Sequence, residues 1–133
     1  MNQIYPDAGL VQWLQRMAVG NFHFHLFVNN LVPNKTTLLA GLTEAAWAGY
    51  AAITVNAADF ALTGVAGHVG TILAAPIAFT NGSAGSQSAY GYYVTDTADA
   101  ILFAVALFDA APVAKIVGDS WIITPVIGDF SQF

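Results

Sequence analysis

The chain has 133 residues and a formal net charge of −5, and 8% of its residues are charged while 56% are hydrophobic. A typical soluble domain has about 25% charged residues, so this chain lacks the usual charged surface. The absence of cysteine excludes disulfides, thiolate nucleophiles and cysteine-ligated zinc. Three basic residues are too few for nucleic acid to be a partner.

The low charge predicts that lipid or other protein covers much of the surface. A membrane-spanning helix needs about 20 consecutive apolar residues, whereas the apolar run at residues 101–108 is closed by Asp99 and Asp109. Residues 1–7 lack the basic and apolar segments of a signal peptide, so we expect neither export nor a membrane partner. We interpret the chain as one domain, residues 1–133, that works as a subunit of a larger protein assembly.

Residues 8–19 predict an N-terminal α-helix. Leu10, Trp13, Leu14 and Met17 follow the spacing of one helix face, and Gly20 suits the position after the helix end. The face that carries Trp13 either caps the sheet of its own domain or docks on a neighbouring subunit.

Residues 21–30 predict a strand in which His23 and His25 share one face. Two histidines at this spacing are able to ligate a metal ion. The sequence offers no third histidine or carboxylate at a supporting spacing, so we predict a polar, half-exposed sheet face, with no metal and no cofactor. A third alternative is that the two histidines gather around the symmetry axis of an oligomer.

Three further strands are predicted from apolar alternation: residues 50–55, 71–80 and 120–127. Pro76 places the second of them at a sheet edge or a bulge, and Trp121 and Ile123 share one face of the third. The aromatic tail residues Phe130 and Phe133 either tuck against their own domain or reach a neighbouring subunit.

A hairpin over residues 88–108 is the strongest pattern in the chain. Residues 90–95 alternate, and residues 101–108 form an unbroken apolar run, which predicts a second strand that is buried on both faces. On this basis Leu102→Asp or Phe103→Asp should abolish folding. Asp96 and Asp99 lie in the polar turn between the strands, where we expect them to be solvated.

Signatures of catalysis are missing from the sequence. It has no serine-nucleophile motif, and the glycines near residue 64 lack the lysine that ends a phosphate-binding loop. We therefore expect a protein that is not an enzyme.

Four short motifs resemble, in order and spacing, a family of small virion proteins of tailed bacteriophages. They are Leu-Phe-Val-Asn-Asn-Leu-Val-Pro at residues 26–33, Leu-Thr-Glu-Ala-Ala-Trp-Ala-Gly-Tyr at 42–50, Tyr-Gly-Tyr-Tyr-Val-Thr-Asp at 90–96 and Phe-Asp-Ala-Ala-Pro at 108–112. The similarity spans residues 10–127. One departure is that Val126 and Ile127 stand where the pattern has a basic residue after Thr-Pro.

The resemblance implies a mainly β fold: an antiparallel β-sandwich of about seven or eight strands, jelly-roll-like, with one N-terminal helix. It implies a structural protein of a tailed phage. With the low charge and the many aromatic residues, we expect a capsid cement or decoration subunit, made in the host cytoplasm, that binds itself as a homotrimer and binds the major capsid protein of the virion. The alternative is a tail or fibre component that binds a host receptor or glycan; a cellular lectin-like module ranks third. The candidate subunit interface comprises Trp13, His23, His25, Phe130 and Phe133.

Overall fold

A computed structural model of the chain describes residues 20–56, 59, 61–66, 69–73 and 75–131. These residues are mainly β, with antiparallel sheets and very little helix, which includes a 3-10 turn, η1, at Leu39–Gly41. The predicted N-terminal helix at residues 8–19 lies outside the described residues. The strands are β1 Asn21–Phe27, β2 Ile53–Asn56, β3 Ala61–Ala66, β4 Val69–Leu73, β5 Ile77–Thr80, β6 Gln87–Ala89, β7 Gly91–Thr95, β8 Leu102–Leu107, β9 Val113–Lys115, β10 Ser120–Ile123 and β11 Val126–Ser131.

The chain divides into two compact units. One contains the described parts of Val55–Ile77 and Ile123–Phe133 and holds a three-stranded sheet in the order β11-β4-β3. The other comprises Asn21–Thr54 and Ala78–Ile122 and includes the β6-β9 ribbon. The single domain over residues 1–133 stays a prediction.

The largest sheet has the order β2-β1-β7-β8. β1 pairs with β7 from His23 opposite Thr95 to Phe27 opposite Gly91, and all these pairs are antiparallel. Phe24, Leu26 and Phe27 of β1 are buried almost completely, because β1 is paired along its length and consists largely of apolar residues.

The predicted hairpin forms, but the burial of its two strands is reversed. β7 is buried at four of its five residues, whereas Phe103 of β8 is 55% exposed and Ile101, just before β8, is 54% exposed. The reason is position: β7 lies between β1 and β8, while β8 forms the edge of the sheet. The prediction that β8 is buried on both faces is therefore wrong. Phe103→Asp would not bury a charge, so we no longer expect this substitution to abolish folding.

Two of the predicted long strands are each split into two. Residues 71–80 contribute to β4 and β5, with Pro76 between them, and residues 120–127 contribute to β10 and β11, with Pro125 between them. Proline lacks the N–H that a sheet ladder needs, so it interrupts a strand. The predicted alternation in β10 is confirmed, because Trp121 and Ile123 are buried while Ile122 is 69% exposed.

Gly91 is a point of close approach between strands in the large sheet. A Cβ atom at this position would meet the backbone carbonyl oxygen of Ala106 and would lie 2.8 Å from the Phe27 ring. Any side chain would therefore push β8 away from β7 or displace a fully buried phenylalanine.

We expect Gly91→Ala to lower the free energy of unfolding by about 1–3 kcal/mol or more, because the methyl group overpacks a closed sheet. Urea denaturation followed by far-UV circular dichroism measures the change. Gly41→Ala is the matched control, since a Cβ there meets only a side-chain methyl of Leu31 at 3.4 Å. Equal stability of the two variants would contradict the close approach at Gly91.

Candidate functional site

The two histidines of β1 meet the turn that joins β7 to β8. His23 is the register partner of Thr95, the last residue of β7, and His25 is the partner of Tyr93. The chain then turns through Asp96 and Asp99, whose φ of 53° lies in the left-handed region that aspartate tolerates. The turn therefore carries Asp99 back over the histidine face of β1.

One carboxylate oxygen of Asp99 lies within hydrogen-bond distance of three side chains. Its Oδ1 lies 2.9 Å from His23 Nδ1, 3.1 Å from His25 Nε2 and 2.8 Å from the Thr95 hydroxyl. The ligand atoms of His23, His25 and Asp99 all lie within 4.8 Å of one another. With Glu44, described next, these residues form what we call the histidine cluster: His23, His25, Glu44, Thr95 and Asp99.

Glu44 contacts the other side of the His25 ring. An isolated β-bridge between Phe27 and Glu44 places Glu44 beside β1, and its Oε1 lies 2.7 Å from His25 Nδ1. The Tyr50 hydroxyl donates to the same Oε1 at 3.1 Å and accepts from the Leu26 N–H at 2.9 Å. Two side chains, His25 and Tyr50, thus hold the same carboxylate oxygen of Glu44.

His25 is buried between the carboxylates of Glu44 and Asp99. A neutral His25 ring is able to donate a hydrogen bond to only one of them. It is 3% exposed, and a neutral imidazole carries one N–H. The Thr95 hydroxyl lies 3.0 Å from His25 Nε2 as well as near Asp99, but its single proton serves one acceptor at a time. A positive charge between His25 Nε2 and Asp99, either a second ring proton or a metal ion, satisfies the arrangement.

The electrostatics of the cluster follow from these contacts. The hydrogen bond from His23, followed by that from Thr95, lowers the pKa of Asp99. Burial, with Glu44 as the nearest charge, raises the pKa of Tyr50. Asp99 is therefore an anion and Tyr50 a neutral donor at physiological pH.

The placement of the two predicted histidines is confirmed, and two details of the prediction are corrected. His23 and His25 share a face, but only His23 is half-exposed, since His25 is covered by the stacked Tyr93 ring at 4.6 Å. Asp99 is not simply a solvated turn residue, because it bonds to both histidines. The sequence indicated neither Glu44 nor Asp99 as partners, since nothing in it shows that residues 19 and 74 positions away from His25 come into contact with it.

The three other predicted interface residues are Trp13, Phe130 and Phe133. Trp13 and Phe133 lie outside the described residues. Phe130 belongs to β11, in the other compact unit.

The second notable feature is the outer edge of β8. Among the described residues β8 pairs only with β7, and Leu102–Leu107 contains no charged residue and no proline. Natural edge strands are usually protected by such residues. The one irregularity is a β-bulge at Phe103, which lies between Leu102, the partner of Thr95, and Ala104, the partner of Val94.

Comparison with known proteins leaves function to be argued from the chain itself. No family model matches the sequence, no curated protein matches it, and no solved structure matches the fold. Among the described residues, no helix has both the length and the apolar character needed to cross a membrane.

We expect Tyr50→Phe to lower the free energy of unfolding by about 1–3 kcal/mol, because the buried Leu26 N–H loses its acceptor and Glu44 loses a donor. Thermal and urea denaturation measure the change. Tyr92→Phe is the matched control, since the Tyr92 hydroxyl makes no hydrogen bond within the described part of the chain. Unchanged stability in Tyr50→Phe would show that the hydroxyl does not hold β1.

Proposed function

We propose that the protein is a non-enzymatic structural subunit of a bacteriophage virion, which cements or decorates the capsid as a homotrimer. The observation that carries the proposal is the apolar edge at Ile101 and β8, where β8 contains no charged residue and no proline. An exposed, uncharged edge strand presents unpaired N–H and C=O groups together with apolar side chains, and it pairs readily with another chain. In a subunit that works within an assembly, a neighbouring chain would cover this edge.

The amino-acid composition supports the same proposal. With 8% charged residues, the chain has few charges that could repel other copies from the apolar edge. Val32, Leu38, Ile116, Val117 and Ile122 add further exposed apolar side chains. Obligate interfaces are more hydrophobic than ordinary surfaces, so an assembled subunit accounts for a surface that a free monomer would not keep. The phage assignment itself is supported by the four sequence motifs alone.

The finer architecture belongs to the proposal. We propose that the antiparallel sheets form a jelly-roll-like β-sandwich. Alternating burial along β10 supports it, because a strand with one covered face is typical of packed antiparallel sheets.

The tail or fibre role ranks second. A glycan-binding site would combine exposed aromatic and acidic side chains in a groove. A groove of about 250 Å³ is lined by Phe108, Val113, Lys115, Ser120, Trp121 and Ile122, and this lining has no acidic side chain. The lining of this groove therefore gives no support to glycan binding.

The capsid role is tested with the purified chain and with expanded capsids assembled from the major capsid protein of the same genome. Light scattering should give three times the chain mass of 14.0 kDa, and the protein should sediment with the capsids. A stable monomer that stays in the supernatant would contradict the proposal. A trimer that ignores capsids would contradict the capsid role, and a glycan array would then test the tail alternative.

We expect Phe103→Lys to remove assembly, because a lysine on an edge strand opposes pairing with another chain. The fold should survive the loss of the edge-to-face contact with the Phe22 ring at 5.5 Å, since Phe103 is 55% exposed. Light scattering and capsid sedimentation report assembly, and far-UV circular dichroism reports the fold. Val32→Lys is the matched control, since Val32 is 73% exposed outside the strands and the charge change is identical. Normal assembly of Phe103→Lys would contradict a role for the β8 edge.

A further inference from the structure

We propose that the histidine cluster binds one divalent transition-metal ion, such as Zn²⁺, through His23 Nδ1, His25 Nε2 and Asp99 Oδ1. Imidazole nitrogens and a carboxylate oxygen are ordinary ligands of such ions. The site goes beyond the proposed assembly role, and its test does not depend on that role.

The spacing of the three ligand atoms fits a small ion. Bonds of about 2.0–2.1 Å in tetrahedral geometry separate two ligand atoms by about 3.3 Å. Asp99 Oδ1 lies 2.9 Å from His23 Nδ1 and 3.1 Å from His25 Nε2, and all three atoms lie within 4.8 Å of one another. Small side-chain rotations therefore bring them around one centre.

The contact with Glu44 leaves the correct nitrogen of His25 free to bind. The 2.7 Å separation between His25 Nδ1 and Glu44 Oε1 is that of a charge-assisted N–H···O bond, which places the ring proton on Nδ1. The lone pair of Nε2 then points toward Asp99. A carboxylate behind a ligating histidine is the usual outer partner in protein metal sites, because it fixes the tautomer and the ring orientation.

The charge balance of the cluster also favours a cation. Glu44 and Asp99 lie on opposite sides of the buried His25 ring, and neither forms an ion pair with lysine or arginine among the described residues. A divalent ion supplies the positive charge that neutral His25 lacks toward Asp99. The half-exposed His23 and Asp99 leave a path from solvent and room for a water ligand.

Three protein ligands connect two distant parts of the chain. His23 and His25 lie on β1, and Asp99 lies in the turn between β7 and β8, so a bound ion would fasten that turn to β1. The expected role is structural, because a metal-bound state of the folded chain is stabilised relative to the unfolded chain.

Isothermal titration of tag-free protein with Zn²⁺ at neutral pH tests the site. We expect one Zn²⁺ per chain and a thermal midpoint that rises with Zn²⁺ concentration. In the Co²⁺-substituted protein, the visible spectrum should show tetrahedral or five-coordinate cobalt without thiolate bands, because the chain has no cysteine. Absence of saturable binding would overturn the proposal.

Three variants locate the ion. Asp99→Asn keeps a residue that tolerates the left-handed φ but removes the ligand charge, and His23→Gln removes a half-exposed ligand. Each should lower Zn²⁺ affinity by more than the roughly 10–100-fold expected for Glu44→Gln, which removes only the outer partner. Circular dichroism verifies that each variant is folded.

Asp109→Asn is the matched control for Asp99→Asn, since it removes an acid outside the cluster, and it should bind Zn²⁺ like the parent chain. Parental affinity in Asp99→Asn, or loss of binding in Asp109→Asn, would overturn the assignment.

Discussion

The pairing of β1 with β7 is the constraint on which the rest of the large sheet depends. Its register places His23 opposite Thr95 and Phe27 opposite Gly91. At one end, the turn after β7 then lies against the histidines. At the other end, the absence of a side chain at Gly91 allows the close approach of β8 and of the Phe27 ring. Because β1 occupies one side of β7, β8 pairs on the other side and is the last strand of the sheet.

Two features with different chemistry thus arise from one pairing. The polar end collects two imidazoles and two carboxylates around the buried His25. The apolar edge presents Phe103 and its neighbours without charge or proline. The first feature suits binding of a cation and the second suits pairing with another chain.

Local patterns in the sequence predicted much of the strand content. Alternation found β1, the β7–β8 hairpin and the inward face of β10, because a side-chain period of two reports directly on which residues share a face. The predicted strands 71–80 and 120–127 ran through Pro76 and Pro125, although proline removes a ladder hydrogen bond and here separates two strands. The apolar run of β8 was taken as burial within the subunit, yet such a run equally serves an edge that is exposed until another chain covers it.

The histidine cluster could be predicted only in part. The spacing of His23 and His25 placed both side chains on one face, but their partners Glu44 and Asp99 come from segments that only the tertiary fold brings near. Asp99 lay in a turn, where aspartate is common for local reasons, so its second role carried no local signal. Long-range register was the missing information.

The β1–β7 register is tested most directly by nuclear Overhauser contacts between backbone Hα protons. The N–H and C=O of Leu26 bond to Tyr50 and Ala45, so Leu26 and Tyr92 form a non-hydrogen-bonded pair, the type with the closest Cα atoms. We predict strong Hα–Hα cross-peaks between Leu26 and Tyr92 and between Phe24 and Val94. Cross-peaks shifted by one residue, or their absence in the folded protein, would contradict the account, because both histidines would then turn away from Asp99.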